Sequence, residues 1–368
     1  MNLITRKEIK DAKLIVVKVG SKILAPQNDG HLLRFASLAK TISQLIDDGK
    51  KVILVSSGAV ANGRAVLGFT EKTNNVSLKQ ACAGVGQIEL MNLYRKEFDK
   101  YSKPIGQILL SWDDLREKNR YLNLRNTLWA MLENGIVPII NENDSVSVRE
   151  IKIGDNDTLA GQIALVTNAD LFVALSDING LYTDNPKTNP DAKHIKVFAF
   201  QEINAREEGN DVGTGGMATK LRAANMVTQA GITAIIGDGF NNDLISVMNN
   251  EELGTLFSPQ RERMNSHDRF IAFTDRIDGT VLVDDGAKKA ILSGKSLLPA
   301  GIQSVIGDFD EGDTISLKNG NTVFAKGITD YSSAEIDKIK GRKSAEIPQI
   351  LGSNRRDFVV HRNNMVVL

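Results

Sequence analysis

KLIVVKVG, residues 13–20, and KKVILVSSG, residues 50–58, are short β-branched runs separated by one helical stretch, from about His31 to Asp48, that stops at Gly49. Runs this apolar fit strands buried on both faces, and a glycine just past the last helical residue supplies a left-handed C-cap. Strand, helix, strand in this order predicts a βαβ unit and therefore a parallel pair. The same grammar recurs downstream. RYLNLRNTLWAMLEN (120–134) carries apolar side chains at Leu124, Leu128, Met131 and Leu132, ends at Gly135 and hands over to IVPII (136–140). DLFVALSD (170–177) and ITAIIGDG (232–239) repeat it, each after a helical segment. At least five strands in a mainly parallel sheet sandwiched by helices, an α/β fold, are expected between residues 13 and 257.

The chain has 368 residues, 42% of them hydrophobic, which favours two domains. SPQRERMNSHD (258–268) has one apolar residue, Met264, and cannot contribute to a core. Beyond it strand candidates crowd together in TVLVDD (280–285), DTISLKNGNTVFAKG (313–327) and DFVVHRNNMVVL (357–368), with Asn319-Gly320 at a hairpin turn. The expected division is a catalytic domain over 1–258, a linker over 259–275 and a small, mostly β domain over 276–368. Lys plus Arg equals Asp plus Glu at 45 each, so no global field draws the chain to nucleic acid or anionic membrane. The single cysteine, Cys82, rules out a disulfide framework, and its apolar helical setting (Leu78, Ala81, Val85, Ile88) points to core packing. The N-terminus shows no secretory signal and no apolar run reaches membrane-spanning length, so a soluble, cytoplasmic protein is expected.

Four segments could carry chemistry. In VKVGSK (17–22), Lys18 ends a buried strand and Gly20 and Ser21 can bring backbone N–H groups to an anion, although a strand-end lysine can equally just reach solvent. VSSGAVANG (55–63) repeats the design with Ser56, Ser57 and Gly58, where an ordinary serine cap is the plainer reading. VPIINENDSV (137–146) puts Asn141, Glu142, Asn143 and Asp144 directly after a strand, with EIKIGDNDTLAGQIA (150–164) close behind. There Asp144 could meet an ammonium, and Asn156 with a helix N-terminus could hold a carboxylate; an amino acid offers both. Asp155 or Asp157 could instead simply cap the helix that starts near Thr158. VGTGGMATKLRAANMVTQAG (212–231) sets a glycine turn before a helix bearing Lys220, an arrangement suited to phosphate. No Walker A sequence and no Rossmann GxGxxG after the first strand is present.

In that order, VKVGS, VSSGA, VPIINENDSV, IGDNDTLA, LSDINGLYTDNP and GTGGMATK strongly resemble the amino acid kinase family, in particular its glutamate-phosphorylating members. From Arg276 to Asn354, with SLLPAGIQSVIGDF (296–309) near its middle, the chain resembles the PUA module that many of those members carry. The resemblance implies ATP and Mg²⁺ as cofactors and L-glutamate as phosphoryl acceptor. It implies Lys18 and Lys220 on the ATP phosphates as the catalytic pair, and Ser57, Asp144 and Asn156 around glutamate. Ser176 and Asp177 would line the ATP site with the turn Thr214, Gly215, Gly216, Met217, Ala218, Thr219 and Lys220. Two positions depart from the pattern: many members have threonine at Ser176 and a second small residue at Lys22. Also implied are a homo-oligomer built through the kinase domain, proline as feedback inhibitor and a separate reductase as downstream enzyme. Other readings remain: a kinase of the same fold acting on another carboxylate, a carbamate or a nucleoside monophosphate, or an RNA-binding protein. The last rests on the PUA-like module and the basic cluster in KIKGRKSAE (338–346), against which the zero net charge weighs.

Overall fold

The computed structural model describes residues 5–26, 30–69, 74–146, 156–186, 188–200, 216–273, 277–352 and 355–368. The chain divides into two compact units, Met1–Arg263 and Met264–Leu368.

In the first unit the strands are β1 (Leu14–Val19), β2 (Lys51–Ser56), β3 (Ile105–Leu110), β4 (Val137–Glu142), β5 (Leu171–Ser176), β6 (Leu181–Tyr182), β7 (His194–Ile195), β8 (Val197–Phe198), β9 (Thr233–Asp238) and β10 (Thr255–Phe257). Eight of them form one sheet in the order β3-β4-β2-β1-β5-β9-β10-β8, and β6 pairs with β7. Every neighbouring pair in the large sheet is parallel except β9 with β10. β1, β4, β5 and β9 are buried at every position, as runs without polar alternation require of strands covered on both faces. All five strands expected from sequence are present. The edge strand β3 and the short β8 and β10 were not anticipated: β3 is only partly buried and β8 and β10 are too brief for a periodic signal.

The helices are α1 (Ser21–Leu24), α2 (His31–Asp47), α3 (Ala59–Val66), α4 (Val76–Phe98), α5 (Trp112–Arg116), α6 (Lys118–Glu133), α7 (Asn156–Thr167), α8 (Gly216–Gln229) and α9 (Leu244–Asn249). Gly49 and Gly135, just past α2 and α6, have φ of 80° and 69°, the left-handed caps their positions called for. A core of α2, α4 and α9 side chains, among them Phe35, Leu38, Leu90, Tyr94 and Val247, packs on Ile15, Val17, Leu54 and Val173 of the sheet. Where α3 crosses α4, a Cβ on Gly63 would lie 1.8 Å from the Cys82 carbonyl oxygen, and one on Gly86 would lie 1.8 Å from that of Ala59. Cys82 is fully buried, but its stripe is Cys82, Gly86, Leu90, Tyr94 and Phe98, not the expected Leu78, Ala81, Val85 and Ile88; Ile88 is 68% exposed. Small residues turn inward because the α3 backbone comes too close for large ones.

The second unit holds α10 (Ser266–Phe273), β11 (Gly279–Val283), α11 (Asp285–Leu292), β12 (Ile302–Ile306), β13 (Thr314–Asn319), β14 (Thr322–Ile328), α12 (Ser333–Ile339), α13 (Ile347–Leu351) and β15 (Met365–Val367). Its sheet runs β12-β11-β13-β14-β15, with Gly320 at φ 56° in the β13–β14 hairpin. Val281, Ile315, Leu317, Phe324, Tyr331, Ile336 and Val360 form its own core. The stretch read as a linker, 259–275, carries α10 in its second half, where Ile271 and Ala272 follow the polar run and are buried.

Candidate active site

The C-terminal ends of the parallel strands fall into one line, because the register sets Val19 opposite Ser56 on one side and Leu175 on the other, with Ser176 opposite Asp238. Open α/β sheets bind ligands along this edge. Lys18, one residue short of the end of β1, is 5% exposed. Its Nζ forms an ion pair with Oδ1 of Asp157, the second residue of α7. The other oxygen of that carboxylate takes Lys220 Nζ of α8 at 3.2 Å and the hydroxyl of Thr219 at 2.8 Å. Lys220 Nζ also donates to the Gly216 carbonyl at 2.9 Å, which folds the side chain back over the start of its own helix. Burial alone would push the Asp157 carboxyl up, but the two lysines, with the hydrogen bonds from Lys18 and Thr219, outweigh it and hold it below the usual carboxylate range. Two ammonium groups are thus fixed to one buried anion at the sheet edge.

A second cluster adjoins it. Asn156, the first residue of α7, donates from Nδ2 to Ser57 Oγ at 2.7 Å, to the Ser56 carbonyl at 2.9 Å and to Asn141 Oδ1 at 2.9 Å. Gly58, next to Ser57, caps α3 with a φ of 111°. Ser56 itself turns away, its hydroxyl 2.8 Å from Tyr94 Oη in the core, where burial raises the phenol. Asp144 is half-buried in the turn after β4, and the neighbouring Ser145 hydroxyl lies 3.7 Å from where a Cβ on Gly84 of α4 would stand. At the end of β5, Ser176 is buried and donates to Asp177 at 3.3 Å. Asp177 also pairs with Lys22 at 2.8 Å; burial works against its charge, but these bonds hold it below the usual range. Lys22, which stood out in the sequence as an unusual residue for its place, therefore has a carboxylate partner.

Lys18 and Lys220 meet at one point, and Ser57 and Asn156 touch. In the turn over 214–220, Met217 is buried and Ala218 exposed, while Thr214, Gly215 and the alternative cap Asp155 lie outside the described residues. Sequence reading missed Asp157 as more than a cap, and Asn141 as the group against which Asn156 is set. It also gave Asn156 to a carboxylate, whereas its amino group is committed to protein acceptors. Among the described residues no group of three His, Cys, Asp or Glu side chains stands together as a metal cage, and Asp157 already faces two cations.

A model of the amino acid kinase family matches residues 13–238. The chain belongs to the amino acid kinase family. A PUA domain follows over residues 279–351. The chain is 45% identical to glutamate 5-kinase of Syntrophotalea carbinolica (strain DSM 2380 / NBRC 103641 / GraBd1), covering 98% of this chain and 99% of that one. It is likewise 45% identical to glutamate 5-kinase of Citrifermentans bemidjiense (strain ATCC BAA-1014 / DSM 16622 / JCM 12645 / Bem), over 99% and 100%. Among solved structures, carbamate kinase from Giardia lamblia bound to AMP-PNP superposes with a TM-score of 0.50 at 16% identity, over 67% of this chain and 99% of that one, a likeness of fold. This amino acid kinase thus presents its lysine pair and its serine–asparagine cluster side by side on the sheet edge. No helix among its described residues is long and apolar enough to cross a membrane.

Proposed function

We propose that the protein transfers the γ-phosphoryl group of ATP to the γ-carboxylate of L-glutamate, giving L-glutamyl 5-phosphate and ADP, the first step of proline biosynthesis. The observation that carries this reading is the near-full-length likeness to proteins named glutamate 5-kinase, joined to an edge site with two fixed ammonium groups. In this reading Lys18 and Lys220 face the ATP phosphates, with Ser176, Asp177 and the 214–220 turn around the nucleotide. Ser57, Asp144 and Asn156 surround glutamate.

The acceptor carboxylate is ionised at neutral pH, so its oxygen attacks the γ-phosphorus without a general base while the bond to the β,γ-bridging oxygen breaks. Catalysis then rests on positioning and charge. Lys18 and Lys220 offset negative charge on the phosphoryl oxygens, and Asp157 keeps the two ammonium groups in place before substrate arrives. Mg²⁺ bound with the nucleotide would add to the neutralisation of phosphate charge that Lys18 and Lys220 provide from the protein side. The acyl phosphate product is labile in water, which calls for a separate reductase to consume it.

The test is ADP release from MgATP with and without L-glutamate, with hydroxylamine trapping the acyl phosphate as the γ-hydroxamate. Glutamate-dependent ADP with matching hydroxamate is expected. Stimulation by aspartate, N-acetylglutamate or a nucleotide in place of glutamate would reassign the acceptor.

A further inference from the structure

A chain of side-chain amides runs from the start of α7 to the edge of the sheet, and backbone groups fix its polarity. The Ser56 carbonyl can only accept, so the amide group that Asn156 places 2.9 Å away must be its NH₂. The backbone N–H of Glu142 can only donate, so the Asn141 atom 2.9 Å from it must be Oδ1. The rest follows. Asn156 Nδ2 donates to Asn141 Oδ1 at 2.9 Å, Asn141 Nδ2 donates to Gln87 Oε1 at 2.9 Å, and Gln87 Nε2 donates to Gln107 Oε1 at 3.2 Å. Asn141 is 2% exposed and Gln87 8%, so neither can replace a lost partner with bulk water. Gln107 is on the edge strand β3 and exposed.

This polarity decides what Asn156 offers a ligand. Its NH₂ is spent on Ser56, Ser57 and Asn141, which leaves Oδ1, an acceptor. In the proposed glutamate site, where Asp144 is the other acceptor, this oxygen would face the substrate ammonium. We propose that Gln87 is a positioning residue for this contact: by accepting from Asn141 Nδ2 it holds the Asn141–Asn156 pair in the orientation that presents Asn156 Oδ1 to the α-ammonium of the substrate. The inference rests on reading this cluster as the glutamate site. Gln87 acts through two other side chains and touches no reacting atom.

The experiment compares steady-state constants of wild type, Gln87→Met and Gln87→Glu, full-length, in the hydroxamate assay. Methionine keeps the length of the side chain and removes the acceptor. The KM for glutamate is expected to rise about tenfold, with KM for ATP and kcat at saturating glutamate within about twofold of wild type. Glutamate at 87 still accepts from Asn141, and the exposed amide of Gln107 can turn to donate to it, so Gln87→Glu should return KM for glutamate to within about twofold. A wild-type KM for glutamate in Gln87→Met overturns the proposal. So does an equal rise in both KM values with a lowered melting midpoint, the mark of a purely structural role. Should Gln87→Met not fold, Gln87→Ala carries the same expectation, and failure of both to fold overturns the positioning role. Wild type assayed alongside separates the two readings. If it forms no glutamate-dependent product, the functional reading falls and this proposal with it; if it does, an unaltered variant sinks this proposal alone.

Discussion

Asp157 is 2% exposed and receives Lys18, Lys220 and Thr219. Replacing it by asparagine leaves two cations facing each other without their shared anion, a change that commonly costs about 3–5 kcal/mol at a buried pair. Asp157→Asn should therefore lower the urea midpoint and also cut kcat, since the lysines lose their common anchor; an unchanged kcat in folded variant would remove Asp157 from the machinery. The pH dependence has a definite sign. The carboxyl is held below its ordinary value of about 3.9, so its contribution is fully present above that pH and is lost as pH falls through the lower, folded-state value. Acid unfolding of wild type should show this loss below about pH 4, and Asp157→Asn should lack that component. Lys18→Ala and Lys220→Ala each remove one ammonium from the proposed phosphoryl site and should reduce turnover on the order of 10²-fold or more. Circular dichroism would check the fold, and near-normal turnover in either variant would acquit that lysine. Both lysines were legible in the sequence, one at a strand end and one after a glycine turn. Asp157 was not, because an acid at the start of a helix has a commonplace reading as a cap. Only the strand order, which brings the end of β1 under the start of α7, shows what it binds. The Ser57–Asn156 contact, 99 positions apart in the chain, is a tertiary fact of the same kind.

Helices α3 and α4 are held at a distance that two glycines permit. Adding a methyl group to Gly86 would drive it to within 1.8 Å of the Ala59 carbonyl, a backbone atom that can move only with its helix. Gly86→Ala should thus cost about 1–3 kcal/mol, as overpacking does, read as a lower urea midpoint at unchanged slope. Gly84, two residues earlier on an exposed face of α4, meets nothing nearer than the Ser145 hydroxyl at 3.7 Å. There alanine should be neutral or stabilise by up to about 1 kcal/mol through helix propensity. If the two substitutions behaved alike, close packing would not be what this crossing depends on. Strands and long helices were readable at this scale because β-branched runs and terminal glycines are local signals. The buried face of α4 was not, since a stripe of Cys82 and Gly86 looks weaker in sequence than one ending in Ile88, and only the neighbouring helix selects the smaller residues.

Each of the two units buries its own core, one around Ile15, Leu54, Leu90 and Val173 and the other around Val281, Leu317, Phe324 and Val360. A unit with its own core can unfold as its own cooperative step. The residues proposed to bind ATP and glutamate all fall in the first, so ligand binding should stabilise that step alone. At about 100 times the dissociation constant a ligand adds about 2.7 kcal/mol, which for a unit of this size raises the midpoint by roughly 5–10 °C. Scanning calorimetry of the full chain is therefore expected to resolve two transitions, with L-glutamate and a non-hydrolysable ATP analogue moving one and leaving the other in place. A single transition that shifts as a whole would mean that the second unit melts only together with the first. Ligand occupancy at the sheet edge would then be felt by the PUA domain, and the independence that separate cores suggest would have to be given up.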